Sequence, residues 1–445
     1  MTEKFDVLYI GSGQATWNGA VPVANSGLTV AVVEEDLFGG VCSNRGCNAK
    51  IILDKPIEIA RTVEALQGRG FDETLTINWR DLMAHKHELI DAQSEHNEHR
   101  LTSAGITVIK GHAKFVDAHT ITVNDTQYQA DKIVIATGLR PHVLDVPGNE
   151  LFHDSTDFLA LADMPEHVTI LGGGFIALEF ATIANAVGAK VDVITYNNRY
   201  LKAFHQPYVT RVVADLKRRG VRFLPNITLT NVAENRFREI ELTGEHNFAL
   251  TTDYVIDATG RIPNHDTLDL EKVGVTTTRT GIPVDEHLQT NIPGIYAAGD
   301  IIDKIQPKIT PTAAFESRYL AALFTNQTTE PINYPAISTV VFTSPRIAQV
   351  GVTVAEAQQQ PDVYTIEEVD YLSDWFRQVS NETESYLTLI FNQEHVLVGA
   401  TEMSNEATNS INTFVPYIEM GLTRQQLQRF VYLFPSIEYT GQRRL

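Results

Sequence analysis

Two stretches of this chain share one pattern, in which an apolar strand runs into glycines and then into a helix. FDVLYI leads into GSG at residues 11–13, and VTIL leads into GGG at residues 172–174. A helical segment and a second strand follow each turn, which makes two βαβ units. Glycines at such a turn let backbone N–H groups approach a pyrophosphate at the helix N-terminus. The repeat predicts two bound adenine dinucleotides, and two tight turns without ligands are the alternative interpretation.

The first unit carries an imperfect form of the dinucleotide fingerprint. Its second strand, LTVAVVEE, ends at Glu34, near the offset of roughly 20 residues at which an acid binds ribose hydroxyls. Thr16 replaces the third glycine of GxGxxG, whereas Ala177 is the third small residue of the second unit. The two units together are a more specific signal than either one alone.

The chain has only two cysteines, Cys42 and Cys47, five positions apart in 445 residues. The N-terminus, MTEKFDVLYIGSG, has no secretory pattern, so we expect a cytoplasmic protein. Cytosolic cysteine pairs are usually catalytic or redox-sensing, and two cysteines alone do not make a zinc site. We therefore predict no metal site, and the alternative to a redox pair is two inert buried thiols.

Charge and hydropathy exclude two classes of partner. The formal net charge of −20 disfavours nucleic acid, whose binding needs clustered Lys and Arg. The same charge weakens attraction to anionic membranes, and no apolar run approaches the roughly 18 residues that span a bilayer. The prediction is a protein that binds neither nucleic acid nor membrane.

Further short strands punctuate the rest of the chain. KIVIATG and YVIDATG both end on Thr-Gly, and GIYAAGD ends on Asp300. A helix is predicted from about Thr312. Residues from about 335 have the character of a separate α+β domain, after a polar boundary with two prolines near residues 325–334.

In this combination the chain resembles the pyridine nucleotide–disulfide oxidoreductases, which include glutathione reductase, dihydrolipoamide dehydrogenase and mercuric reductase. The resemblance rests on GSG, Glu34, GGVCSNRGC, ATG, GGGFIALE, ATGRIPN, GIYAAGD and VVFTSPRIAQVG in family order. It implies an α/β protein with two Rossmann-like domains, for FAD and NAD(P), and a C-terminal α+β dimerisation domain. The implied ranges are 1–148 and 266–330 for FAD, 149–265 for NAD(P) and 331–445 for dimerisation.

The resemblance also implies roles for four catalytic residues. Cys42 and Cys47 would form a redox-active disulfide, with Cys47 beside the flavin and Cys42 meeting the substrate. Lys50 would lie near the reactive flavin nitrogen and pair with Glu179, although a solvated surface lysine is the alternative for Lys50. A regular helix holds positions five apart too far from each other for a disulfide, so irregular backbone is expected here.

The cofactor-binding residues implied by the resemblance fall into two groups. Those expected to hold FAD are Gly11, Ser12, Gly13, Gln14, Ala15, Glu34, Gly40, Val41, Ala113, Thr137, Gly138, Asp300 and Thr310. Those expected to hold NADPH or NADH are Gly172, Gly174, Ile176, Arg199, Lys202, Gly260 and Arg261. Arg199 and Lys202 favour NADPH, because cations bind its additional phosphate.

The C-terminal segment departs from the pattern of the disulfide-reducing members. Phe434 stands where they carry a proton-handling histidine, and Tyr439 stands where they carry glutamate. Glu438 or Tyr439 could replace the missing acid. Mercuric reductase also lacks this histidine, but its C-terminal cysteine pair is absent from this chain, which ends QRRL.

The sequence leaves the electron acceptor open. A disulfide, a metal ion, a quinone or oxygen would each accept electrons from a dithiol, as a small molecule or as part of a protein. A flavoprotein redox sensor with little turnover is the rival interpretation, motivated by the missing acid/base. The dimerisation domain implied by the resemblance predicts a homodimer.

Overall fold

The computed structural model describes residues 3–442 as two compact units, each built from several segments of the chain. The first unit contains the described residues up to Ile52, Ala84–His142 and Arg261–Tyr334. The second contains Leu53–Met83, Val143–Gly260 and the described residues from Pro335 onwards. The four domain ranges expected from the sequence stay predictions.

Most of the strands are short, as the punctuated apolar runs of the sequence predict. They are β1 (Glu3–Ile10), β2 (Val30–Glu34), β3 (Thr107–Lys110), β4 (Ala113–Asp117), β5 (Thr120–Val123), β6 (Thr126–Ile135), β7 (Leu139–Pro141), β8 (His167–Leu171), β9 (Lys190–Thr195), β10 (Arg222–Pro225), β11 (Leu229–Glu234), β12 (Ile240–Gly244), β13 (Phe248–Thr252), β14 (Tyr254–Asp257), β15 (Arg261–Pro263), β16 (Ile295–Ala297), β17 (Thr339–Val341), β18 (Arg346–Gly351), β19 (Tyr364–Asp370), β20 (Tyr386–Asn392) and β21 (Leu397–Ser404).

The helices lie between these strands, and the last three follow the final strand. They are α1 (Gln14–Asn25), α2 (Gly40–Arg45), α3 (Cys47–Ala65), α4 (Trp79–Ile90), α5 (Gln93–Ser103), α6 (Ser155–Phe158), α7 (Phe175–Ala186), α8 (Gln206–Arg218), α9 (Thr310–Phe324), α10 (Val354–Gln359), α11 (Trp375–Val379), α12 (Ala407–Glu419), α13 (Arg424–Leu427) and α14 (Ile437–Gln442). None of these helices is long and apolar enough to cross a membrane.

The first unit is organised by a seven-stranded sheet in the order β3-β2-β1-β6-β5-β4, with β16 paired to β6. Strands β3, β2, β1, β6 and β16 pair in parallel, and β5 and β4 extend the sheet antiparallel. β1, α1 and β2 form the first predicted βαβ unit, which the parallel register Val7↔Val30 to Ile10↔Val33 confirms. The glycine turn at residues 11–13 therefore lies at the carboxyl edge of the sheet, where α/β folds bind ligands.

The second unit contains the other predicted βαβ repeat and the α+β part of the chain. Strands β10-β9-β8-β14 form an all-parallel sheet, with α7 connecting β8 to β9. Strands β11-β12-β13 form an antiparallel sheet, and β17-β18-β21-β20-β19 form a larger one. Helix α12 packs on this larger sheet through buried side chains that include Ile411 and Phe414. Both repeats and the predicted α+β region are thus confirmed as folded elements.

Helix α1 approaches α9 so closely that a side chain at Gly19 would collide with it. A Cβ at Gly19 would lie 2.2 Å from the carbonyl oxygen of Ser317. The Ser317 hydroxyl also donates a hydrogen bond to the Thr16 carbonyl at 3.2 Å. This contact joins the first glycine turn to the helix that begins at Thr310.

We expect Gly19→Ala to lower the free energy of unfolding by about 1–3 kcal/mol, because the new methyl group forces α1 and α9 apart. The substitution improves helix propensity by about 1 kcal/mol, so any loss reports the helix contact. Urea unfolding measures the change. Asn18→Ala in the same helix is the control and should change stability by less than about 1 kcal/mol. Unchanged or increased stability of Gly19→Ala would contradict the contact.

Candidate active site

The two cysteines lie on either side of a break between two helices. Cys42 belongs to α2, which ends at Gly46, and Cys47 is the first residue of α3. Gly46 has φ −144° and ψ −116°, and a Cβ there would lie 2.9 Å from the Val41 carbonyl oxygen. The break confirms the irregular backbone expected at this position, and it brings the two thiols within hydrogen-bond distance.

The contact between the two thiols shifts their pKa values in opposite directions. A hydrogen bond with Cys42, with smaller contributions from Thr310 and Lys50, lowers the pKa of Cys47 to about 6 despite partial desolvation. The same hydrogen bond, together with burial, raises the pKa of Cys42. In the reduced protein near neutral pH, the proton therefore lies on Cys42 and Cys47 is a thiolate, the form that reacts.

The N-terminus of α9 adds positive potential beside Cys47. The Thr310 hydroxyl lies 3.6 Å from the Cys47 sulfur, and Thr310 is the first residue of this 15-residue helix. Pro311 lies in its first turn, where the missing N–H costs nothing. Because unpaired N–H groups at a helix start favour anions, this end of α9 stabilises the thiolate.

The first glycine turn is locked to the acid at the end of β2. Gly11 has φ +97°, and a Cβ there would lie 2.5 Å from the Ala136 carbonyl oxygen. Glu34 Oε2 accepts hydrogen bonds from the Ser12 backbone N–H at 2.9 Å and hydroxyl at 2.6 Å. The Thr16 hydroxyl donates to the Gly11 carbonyl at 2.7 Å. Threonine at the third-glycine position therefore stabilises the turn through a hydrogen bond to the first glycine.

Most of the other residues predicted to hold FAD lie in the first unit around this turn. Gly13 precedes α1, which begins with Gln14 and the buried Ala15. Gly40 is the first residue of α2, and a Cβ on Gly40 would lie 3.0 Å from the Cα of Gly13. Val41 is exposed on α2, and the buried Ala113 is the first residue of β4. The turn and the start of α2 thus form one continuous glycine-lined surface.

Thr137 and Gly138 are tied to a segment distant in the sequence. The Thr137 hydroxyl donates to the Asn264 carbonyl at 2.7 Å, and the Asn264 amide donates back to the Thr137 carbonyl at 2.8 Å. The Asn264 backbone N–H also donates to Gly138 at 3.1 Å, and Arg261 donates to the Leu139 carbonyl at 2.5 Å. Asn264 was not singled out in the sequence, although it ends the ATGRIPN motif.

Asp300 presents a buried oxygen with no partner among the described residues. Its Oδ1 atom makes no hydrogen bond, and burial raises its pKa against the opposing pull of Lys304, Arg261 and Lys308. A buried acceptor without a partner costs about 1–3 kcal/mol, so a ligand that brings a donor is expected there. The ribityl hydroxyls of FAD are donors of this kind, so the residues present fit the predicted cofactor.

The second unit carries the residues predicted for NAD(P). Gly172 follows β8, Gly174 precedes α7, and Ile176 lies half-buried in the first turn of α7. Arg199 and Lys202 are exposed in the loop after β9. Gly260 is exposed after β14, at the end of this segment of the unit, whereas Arg261 belongs to the first unit.

Glu179 is buried in α7 rather than exposed. It is 4% exposed, and its Oε1 atom accepts a hydrogen bond from the Phe342 backbone N–H at 2.9 Å. The ion pair with Lys50 that the resemblance implies stays a prediction.

The C-terminal segment has aromatic rings at the positions where the disulfide-reducing family members carry a proton-handling pair. Phe434 is 65% exposed, and its ring centroid lies 5.9 Å from that of Phe376 and 5.1 Å from that of Tyr439. Glu438 is half-buried at the start of α14. The aromatic cluster of Phe376, Phe434 and Tyr439 contains no imidazole or carboxylate.

Sequence reasoning missed a buried group next to Asp300. Glu316 on α9 is 0% exposed and contacts Gly299, Lys304 and Tyr334. An acid in the largely apolar and small-residue stretch TPTAAFESRYLAALF was the available signal. The residues it contacts are distant in the sequence, so the pattern alone did not reveal them.

Comparison with known proteins places this geometry among flavoenzymes. Residues 5–317 match the family model described as pyridine nucleotide-disulphide oxidoreductase, and residues 337–442 match the dimerisation domain of the same family. A glutathione reductase from Nostoc sp. is 30% identical, with 98% of both chains covered. A dihydrolipoyl dehydrogenase from Geobacillus stearothermophilus is 29% identical, covering 97% of this chain and 93% of its own.

Solved structures share the same fold. The HOCl-induced flavoprotein disulfide reductase RclA from Escherichia coli superimposes with a TM-score of 0.89 at 24% identity, covering 99% of each chain. A structure of the same protein described as a Cu(II) complex also gives 0.89. At this identity the similarity establishes the fold, and it confirms the predicted α/β architecture with a C-terminal α+β domain.

We expect the reduced protein to gain one thiolate with a midpoint near pH 6, because the Cys42 hydrogen bond lowers the pKa of Cys47. The thiolate should be present above that pH and lost as the pH falls through it. Ultraviolet thiolate absorbance, titrated after anaerobic reduction, measures the transition.

Two variants test the assignment of this thiolate. Cys47→Ser should remove the transition, and Cys42→Ala should move it to higher pH, because the largest stabilising contact is lost. A midpoint that stays near 6 in Cys42→Ala would show that the thiol pair is not the cause.

Proposed function

The chain belongs to the pyridine nucleotide-disulphide oxidoreductase family, and from that premise we propose that Cys42 and Cys47 are its redox-active dithiol. It is an FAD-dependent enzyme that takes electrons from NAD(P)H. When bound, FAD would supply two-electron redox chemistry between NAD(P)H and the Cys42–Cys47 disulfide, which is thereby reduced to the thiol pair. We assign FAD to the glycine turn at residues 11–13 and to Asp300, and NAD(P)H to the turn at residues 172–174.

The helix break at Gly46 is the observation that carries the dithiol proposal. It holds the two thiols in contact and leaves Cys47 as the thiolate, beside Thr310. We assign Cys47 to the flavin side and Cys42 to the acceptor side. Oxidation of the pair forms one S–S bond and releases two electrons and the thiol proton of Cys42.

The acceptor that these residues support best is one that needs no proton from the enzyme, and we assign a soft metal ion to this role. Cys42 retains its proton because its pKa is raised, whereas attack on a disulfide needs a Cys42 thiolate and a proton for the leaving thiolate. A metal ion displaces the thiol proton when it binds, so it needs neither. Phe434, in place of the family's histidine, supplies no proton.

The electrons balance for a copper acceptor. One NAD(P)H and two Cu(II) give NAD(P)⁺, one proton and two Cu(I). The solved Cu(II) complex of RclA supports this choice. Among residues 3–442 no group of three or more His, Cys, Asp or Glu side chains is arranged to hold a metal. In this proposal the ion is a substrate that meets the thiol pair.

A disulfide is the second candidate acceptor. The relatives named glutathione reductase and dihydrolipoyl dehydrogenase favour it. In that case Glu438 or Tyr439 would have to supply the proton, and Tyr439 contacts the ring of Phe434.

The match to the dimerisation model supports a homodimer. Apolar side chains exposed on the C-terminal segment fit a surface that a second copy covers: Met420, Val431, Leu433 and Phe434. The cytoplasmic location expected from the sequence stays a prediction.

We expect the wild-type enzyme with NADPH to reduce Cu(II) or Hg(II) much faster than glutathione disulfide or lipoamide. Loss of a general acid/base costs about 10²–10⁴ in rate, or roughly 3–5 kcal/mol of barrier. Phe434→His combined with Tyr439→Glu should therefore raise disulfide reduction by at least about tenfold. Steady-state anaerobic kinetics with each acceptor measure both rates.

Leu433→His is the matched control, because it places an imidazole one residue away on the same exposed segment. It should leave disulfide reduction at the wild-type level. Fast glutathione or lipoamide turnover by the wild type would overturn the metal assignment, and slow turnover with every acceptor would favour a redox sensor.

We expect Arg199→Ala with Lys202→Ala to raise the KM for NADPH by about 10–100-fold and to leave the KM for NADH unchanged. Charge-assisted hydrogen bonds to a phosphate are worth about 1.5–3 kcal/mol. Lys190→Ala, exposed at the opposite end of β9, is the control. An equal effect on both nucleotides would refute the preference for NADPH.

A further inference from the structure

The turn that carries Asp300 is held by a buried carboxylate on a neighbouring helix. Glu316 Oε2 accepts a hydrogen bond from the Gly299 backbone N–H at 2.6 Å. Its Oε1 atom accepts from the Lys304 ammonium at 2.5 Å and from the Tyr334 hydroxyl at 2.8 Å. Both oxygens of Glu316 are therefore occupied by the protein itself.

These contacts hold the turn on both sides of Asp300. Gly299 precedes it and Lys304 follows it, and both are bound to Glu316. From a third direction, Lys308 donates to the Asp300 carbonyl at 2.9 Å and to the Thr280 carbonyl at 2.5 Å. The backbone around Asp300 is held by the protein, whereas its buried Oδ1 atom has no partner among the described residues.

Stability alone is a weak reason for this arrangement. The side chains of Lys304 and Glu316 are 4% and 0% exposed, so both charges have lost their hydration. Buried ion pairs gain little net stability, because desolvation offsets their attraction, and apolar replacements of similar volume are often as stable. A fully satisfied buried network of this kind fixes one local geometry.

We propose that Glu316 is a positioning residue for the flavin. By holding Gly299 and Lys304, it fixes the direction in which the Asp300 carboxylate meets the ribityl hydroxyls of FAD. This inference rests on the assignment of Asp300 to FAD in the proposed function. Lys304 is its counter-charge, and Tyr334 completes the hydrogen bonding of the carboxylate.

A double-mutant cycle on FAD affinity tests the proposal. FAD release on dilution of the holoenzyme is followed by the fluorescence of free FAD for the wild type, Glu316→Gln, Asp300→Ala and the double variant. We expect each single substitution to raise the dissociation constant at least tenfold. The FAD dissociation constant of the double variant should be within about twofold of that of Asp300→Ala, because no carboxylate is left at position 300 for Glu316 to position.

A second buried ion pair supplies the matched control. Arg377 and Glu402 lie in the second unit with side chains 2% and 0% exposed, joined at 2.9 Å. Glu402→Gln should lower the melting temperature of the protein while changing the FAD dissociation constant less than twofold. Glu316→Gln should also shift the flavin midpoint potential, which Glu402→Gln should leave unchanged.

The outcomes separate this proposal from the proposed function. Unchanged FAD affinity in Asp300→Ala would refute the assignment of Asp300 itself. Glu316 is not a positioning residue if Asp300→Ala weakens FAD binding but Glu316→Gln changes FAD affinity no more than Glu402→Gln does. The same conclusion follows if Glu316→Gln weakens FAD binding further in the Asp300→Ala background. If Glu316→Gln does not fold, Glu316→Gln with Lys304→Met removes both buried charges and is judged by the same comparison.

Discussion

The break between α2 and α3 at Gly46 is the constraint on which the chemistry of this protein depends. Without it, Cys42 and Cys47 would lie on one regular helix and would be too far apart to share a proton or form a disulfide. With it, one thiol donates to the other, and the pKa values of the two sulfurs separate in opposite directions. The reactive thiolate is thus created by backbone geometry before any acceptor arrives.

Positive groups lie close to the thiols and to Asp300, although the whole chain is negatively charged. The chain as a whole has a net charge of −20. Cys47 nevertheless lies beside a helix N-terminus and near Lys50, and Asp300 is near three cations. Charges beyond about 8–10 Å are largely screened in salt solution. The overall charge therefore governs solubility and the exclusion of polyanions, whereas the nearby groups govern the thiols and the buried carboxylate.

The fold does not determine the acceptor. A TM-score of 0.89 at 24% identity shows that the backbone persists while most side chains change. In the C-terminal segment, the ring of Phe434 packs with the rings of Phe376 and Tyr439. In the proposed function, the residue type at this position decides whether the side chain there can supply a proton, so the acceptor is assigned from the site and not from the fold.

The sequence by itself determined the two βαβ turns, because the backbone preferences of glycine act locally. It also determined the acid at Glu34, the cysteine pair and the order of the family motifs, because these are residue identities and spacings read directly from the chain. It predicted irregular backbone between Cys42 and Cys47 for a different reason, because the disulfide implied by the family resemblance cannot span five positions of a regular helix. Only the tertiary structure decided how Thr16 braces its turn, that the Asp300 oxygen is buried without a partner, and that Glu316 meets Gly299, Lys304 and Tyr334. A local pattern specifies which way the chain turns, but the partner of a buried polar group depends on which distant segments the packing brings beside it.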